Sequence, residues 1–142
     1  MVKIKELTSF DERQFAELKV LLSEVSAHLV LNRENLQALV DAPDSHLYVL
    51  TEDGVIVGMA TLCVFRSLEG AKAIVEDVAV LSSCRGRHYG RMLMEYLLDE
   101  ASRMAPIELQ LTSAPKRIAA NALYRSLGFN PVTTNCYRLQ LD

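Results

Sequence analysis

The chain has 142 residues, enough for one domain with its own hydrophobic core and no need of disulfides or metals. Half of the residues are hydrophobic and 23% are charged, the balance of an ordinary globular protein. A formal charge of −3 speaks against nucleic acid or an anionic membrane as a partner, save through a local basic patch.

Cys63, Cys84 and Cys136 are widely spaced, and none sits in a CxxC or Cys/His cluster, so they read as reduced thiols rather than a zinc site. His28, His46 and His88 show no metal-ligand spacing either. The start, Met1-Val-Lys-Ile-Lys-Glu, is charged and alternating, unlike a signal peptide. The longest apolar run, Val55–Phe65, carries Gly58 and Thr61 and is too short to span a bilayer as a helix. A cytoplasmic location is therefore the expectation. Repeats, low-complexity stretches and Gly/Ser/Pro linkers are absent, which points to a single domain over residues 1–142.

Alternation at Val2, Ile4 and Leu7 predicts a first strand. Asp11 is a candidate cap for a helix with Phe15, Leu18, Leu21, Leu22 and Val25 at helical spacing. Asn32 can cap a second, short helix through Leu36, Leu39 and Val40, ended by Asp41-Ala-Pro43-Asp44. His46–Thr51 reads as a strand, Glu52-Asp53-Gly54 as a hairpin turn, and Val55–Phe65 as the returning strand. After a turn at Ser67–Gly70, Ala71–Val80 is a β-branched strand. From Tyr89, Met92, Leu93, Tyr96, Leu97 and Ala101 step as in a helix. Ile107–Thr112 is a strand, Pro115–Leu127 a helix with Gly128 where a left-handed cap is wanted, and two short strands follow from Phe129 to Leu141. The order β-α-α-β-β-β-α-β-α-β-β predicts an open, mixed α/β sheet.

The loop from Val78 to Arg91 carries the chemistry. A strand enters a loop containing Gly86, a helix starts at once, and Arg85, Arg87 and Arg91 crowd its amino end. Free amides at a helix start bind anions, glycine lets a phosphate approach the backbone, and the guanidinium groups add charge. In an acidic chain this local reversal of sign points to a polyanion such as a pyrophosphate. GxxxxGK[ST] and GxGxxG are both absent, so it is neither a P-loop nor a dinucleotide fingerprint. The alternative is a glycine turn before a solvated basic helix start.

Arg85-Gly86-Arg87-His88-Tyr89-Gly90-Arg91-Met92-Leu93 resembles the acetyl-CoA signature of the GNAT (Gcn5-related N-acetyltransferase) superfamily, Gln/Arg-x-x-Gly-x-Gly/Ala. Arg85 and Gly90 match its first and last positions, and His88 stands where the middle glycine is usual. Arg117-Ile-Ala-Ala120-Asn121-Ala122-Leu123-Tyr124-Arg-Ser-Leu-Gly128-Phe129 is similar to the family's second block, with Arg117 in place of its usual asparagine. The resemblance spans nearly the whole chain. It implies a GNAT-type α/β (α+β mixed sheet) domain of about seven strands, largely antiparallel, with four helices.

It also implies acetyl transfer from acetyl-CoA to a primary amine by direct attack, with coenzyme A as the co-substrate and no metal. The coenzyme-binding residues it implies are Val78, Ala79, Val80, Arg85, Gly86, Arg87, His88, Tyr89, Gly90, Arg91, Arg117 and Asn121. Backbone groups of Val78 and Val80 would pair with the pantetheine arm like an added strand. Tyr124 matches the family's general acid for the leaving thiolate, against a plain packing role beside Leu123 and Leu127.

Glu76, on the same strand face as Val78 by alternation, is the candidate base; the competing reading is a surface or arginine-paired carboxylate. Asp77 would point to the other face. Cys84 and His88 stand four apart in a basic setting, but a thiol nucleophile runs against the family's direct transfer. The acceptor is a small-molecule or peptide amine, and a homodimer is left open. A non-catalytic acyl-CoA-binding or regulatory domain is one rival; a protein N-terminal or lysine acetyltransferase is the other. Glu24, Glu34, Asp41 and Asp44, within 10–47, are acidic groups suited to an amine or to solvent.

Overall fold

The structure, a computed structural model, describes residues 1–142. Two compact units result, Met1–Leu111 and Thr112–Asp142. The first holds β1 (Val2–Glu6), α1 (Glu12–Val25), α2 (Arg33–Asp41), β2 (Ser45–Glu52), β3 (Val55–Ser67), β4 (Gly70–Val80), α3 (Tyr89–Ser102) and β5 (Ile107–Gln110). The sheet runs β1-β2-β3-β4-β5. Its first four strands pair antiparallel through short connections, and β5 joins β4 in parallel because α3 carries the chain back across the sheet.

Local chemistry accounts for these boundaries. Asp11 and Gln14 form a reciprocal capping box: Asp11 Oδ1 accepts from the Gln14 amide at 2.8 Å and Gln14 Oε1 accepts from the Asp11 amide at 3.0 Å. Asn32 Oδ1 caps α2 by accepting from the Asn35 amide at 3.0 Å. Asp53 (φ +50°) and Gly54 (φ +84°) are both left-handed, as the tight β2–β3 hairpin requires.

Side chains of β2 alternate between two helical layers. Leu47 and Val49 join Leu18, Leu21 and Leu36 of the two N-terminal helices, with Ile56 and Met59. Tyr48 faces the other way and meets Tyr96 of α3 edge-on at 5.4 Å. With both faces covered, β3 is apolar along its length instead of alternating. Gly58 sits where α3 comes closest: a Cβ there would lie 2.8 Å from Leu93 Cδ1. No helix is long and apolar enough to cross a membrane.

The second unit holds α4 (Ile118–Ser126), which starts later than Pro115. It ends in a Schellman turn at Gly128 (φ +100°), where the amides of Gly128 and Phe129 donate to the carbonyls of Arg125 and Tyr124 at 3.1 and 3.0 Å. The two strands expected beyond Phe129 do not form, so the sheet has five strands and not about seven. Tyr137, Leu139 and Leu141 alternate as a strand would, yet lie 81–88% exposed. Alternation specifies a strand only when a neighbour takes up its backbone bonds and a layer covers its apolar face.

Candidate active site

The candidate loop begins where β4 ends. A single 3-10 turn over Ser82–Cys84 leads to Gly86 (φ +82°) and then His88, the N-cap of α3, at φ +64° and ψ +21°. No side chain caps the helix, so the amides of Tyr89, Gly90 and Arg91 form an uncapped amino end on a 14-residue helix. Left-handed residues ahead of a helix start turn successive N–H groups inward, a cradle that fits a phosphate.

The three arginines at this helix start are each paired with a carboxylate. Arg87 Nη1 reaches Glu52 at 3.1 Å, Arg85 Nη2 lies 3.9 Å from Glu24, and Arg91 Nη1 lies 3.7 Å from Glu95. Tyr89 donates its hydroxyl to Glu52 as well. That bond, then Arg87, holds the Glu52 carboxyl below its ordinary value. Such solvent-exposed pairs are weak, so a phosphate can take an arginine from its carboxylate at small cost. Glu52 was not identified as part of this loop from the sequence, since it lies 35 residues from Arg87 and only the hairpin brings them together.

Beyond the loop, β4 is open on one side. Its pairing with β5 stops at Ile74 opposite Gln110, while β4 continues to Val80. The backbone of Val75–Val80 is thus without a strand neighbour on that edge, including Val78, Ala79 and Val80.

A bulge in β4 corrects the expected placement of its two carboxylates. Met59 of β3 pairs with Ala79, but Thr61 pairs with Glu76, so β4 carries one more residue than β3 between these pairs. Asp77 takes up the excess at φ +55°. Cross-strand partners share a face, so Glu76 goes with Thr61 and no longer with Val78. Glu76 is exposed, whereas Asp77 accepts a hydrogen bond from the Thr61 hydroxyl at 3.2 Å and lines a cavity of about 180 Å³. The cavity is walled by Leu18, Leu22, Leu36, Leu39, Leu47 and Met59, with Asn32, Asn35 and Thr61 as its other polar groups besides Asp77. Burial pushes the Asp77 carboxyl above its ordinary value, and the Thr61 bond partly offsets this.

In the second unit, Tyr124 is half-buried and packs edge-on against Phe129 at 6.1 Å. Burial pushes its phenol up, with Arg117 acting in the opposite sense. Asn121 Nδ2 donates to the Ala114 carbonyl at 3.0 Å, pinning the turn before α4. The Ser113 hydroxyl is buried without a hydrogen-bond partner, a group the sequence did not single out. Cys84 is buried, which suits an inert thiol better than a nucleophile.

A five-stranded mixed sheet, an uncapped helix start and a strand edge left unpaired beside it make up the candidate site. Residues 9–129 match the model of the Acetyltransferase (GNAT) family, and the chain belongs to that family. Among its relatives, the uncharacterized N-acetyltransferase YhdJ of Bacillus subtilis is 28% identical over 133 residues, covering 91% of this chain and 92% of that protein. The [ribosomal protein bS18]-alanine N-acetyltransferase of Salmonella typhimurium is 40% identical over 62 residues, 44% of this chain and 42% of its own length. An aminoglycoside acetyltransferase from an uncultured soil metagenomic sample shares the fold with a TM-score of 0.81, at 22% identity, over 98% of this chain and 97% of that one.

Proposed function

We propose that this protein transfers an acetyl group from acetyl-CoA to a primary amine by direct attack. The uncapped amino end of α3 behind left-handed Gly86 and His88 carries the reading. Amides of Tyr89, Gly90 and Arg91 hold the pyrophosphate, with Arg85, Arg87 and Arg91 exchanging carboxylate for phosphate partners. The open edge of β4 at Val78–Val80 takes the pantetheine arm as an added strand. Acetyl-CoA supplies a thioester whose carbonyl carbon is the electrophile. A β4 amide on the same edge polarises that carbonyl.

The amine attacks in its neutral form, so its ammonium first gives up a proton. The new N–C bond forms as the C–S bond breaks, and the nitrogen sheds a second proton. Tyr124, kept protonated by burial, delivers one proton to the departing sulfur and regains one from solvent. One proton is released overall. Arg117 and Asn121 shape the start of α4, the element that carries Tyr124. The test is release of free thiol from acetyl-CoA across a panel of primary amines and amino-terminal peptides, with the product weighed by mass spectrometry. An acetylated amine formed in step with thiol supports transfer. Coenzyme binding without turnover on any member would leave a binding domain.

A further inference from the structure

The cavity over β4 has a chemical character that narrows the acceptor, an inference that rests on the acetyltransferase reading above. We infer that the acceptor is a small primary amine with an apolar body and no carboxylate, its ammonium held by Asp77.

The argument starts from the lining. Leu22, Leu36, Leu39 and Met59 offer aliphatic walls, and Asp77 is the one ionisable side chain among the lining residues. An apolar cavity of about 150 Å³ accommodates a benzene-sized ring, so about 180 Å³ suits a benzyl, phenethyl or branched alkyl group. A carboxylate at the edge of such a cavity lacks water and gains most from a cation that arrives with the ligand. Thr61 fixes its Oδ2, which leaves Oδ1 to face an ammonium.

The same lining rejects a ligand carboxylate. No lysine, arginine or histidine lines the cavity. The guanidinium next to Asn32 in sequence, Arg33, is not among the lining residues. It makes a two-pronged bond to Glu12 at 2.6 and 2.7 Å and stacks 4.4 Å from the Phe15 ring. An α-amino acid would bury an unpartnered anion beside Asp77, and a polyamine would bury a second cation against leucine. Both are penalised relative to the simple amine with the same skeleton. Asp77 is then a catalytic residue, since it touches the reacting ammonium and accepts the proton it loses before attack.

The experiment compares 2-phenylethylamine, phenylalanine, 1,4-diaminobutane and an alanine-initiated peptide. Each is titrated by calorimetry with and without coenzyme A, and kcat/KM is measured from thiol release. The expected result is binding of 2-phenylethylamine and a kcat/KM about 100-fold or more above that of phenylalanine. Asp77→Asn should lower kcat/KM for 2-phenylethylamine about 100-fold or more while coenzyme affinity stays within about twofold. Asparagine tolerates left-handed backbone, so this variant keeps the bulge. Leu22→Trp, which adds bulk to the cavity wall from α1, should abolish binding of 2-phenylethylamine but spare ethylamine. Equal or better turnover of phenylalanine, diamine or peptide overturns the assignment, as does unchanged amine binding in both variants. Failure of acetyl-CoA itself to bind would defeat the acetyltransferase reading separately, because amine binding is also measured without coenzyme.

Discussion

His88 carries a side chain at φ +64°, where L-residues are strained and glycine is not. A glycine there takes up the same turn without that penalty. His88→Gly should therefore raise unfolding free energy by about 1 kcal/mol with little change in coenzyme affinity. Chemical denaturation and calorimetry on the pair check this, and a weakened affinity would assign the imidazole a direct contact. Tyr124→Phe keeps the ring against Phe129 and removes only the hydroxyl. Turnover should fall about 10²- to 10⁴-fold, while acetyl-CoA affinity and thermal midpoint hold. Steady-state kinetics beside a binding titration decides it; unchanged turnover removes Tyr124 as the acid. Asp77 also has a stability signature. Its folded-state value is raised, so the folded protein binds the proton more tightly than the unfolded chain. Its contribution to stability is greatest below the ordinary aspartate value of about 3.9 and is lost as pH rises through the raised folded value. At neutral pH, Asp77→Asn should thus raise the thermal midpoint even as it removes activity. A midpoint that falls would contradict a desolvated carboxylate.

Among the elements, those specified by neighbours in sequence were the readable ones. Asp11, Asn32, Asp53-Gly54 and Gly128 each announce a cap or turn within a few residues, and each forms as expected. Asp11→Ala removes one half of the capping box and should cost about 1 kcal/mol in denaturant unfolding. What depends on pairing at a distance was not readable. The β4 bulge is a property of register against β3, and a period-of-two count through Ile74-Val-Glu-Asp-Val78 misplaced Glu76 and Asp77. The partners of Arg85 and Arg87 come from α1 and the β2 hairpin, which no local pattern reveals. The missing strands beyond Phe129 fail for the same reason, since alternation in Tyr137, Leu139 and Leu141 says nothing of what covers them. Gly58 marks the contact between α3 and β3. Gly58→Ala pushes a Cβ against fully buried Leu93 and should destabilise by about 1–3 kcal/mol, read as a lower denaturation midpoint with unchanged slope.

For the whole molecule, the formal charge of −3 sits beside a cluster of arginines at one helix start, and that contrast is what made the coenzyme loop visible. The family follows from two short blocks and the order of elements; the acceptor does not, because the cavity proposed to hold it is built by the bulge and the first two helices. Binding of acetyl-CoA is the claim on which everything else stands, and it can be tested before any acceptor is known. Titration calorimetry should give saturable one-to-one binding. At about 100 times the dissociation constant, the coenzyme should add about 2.7 kcal/mol to unfolding free energy and raise the thermal midpoint accordingly. No heat and no shift at millimolar acetyl-CoA would contradict the account.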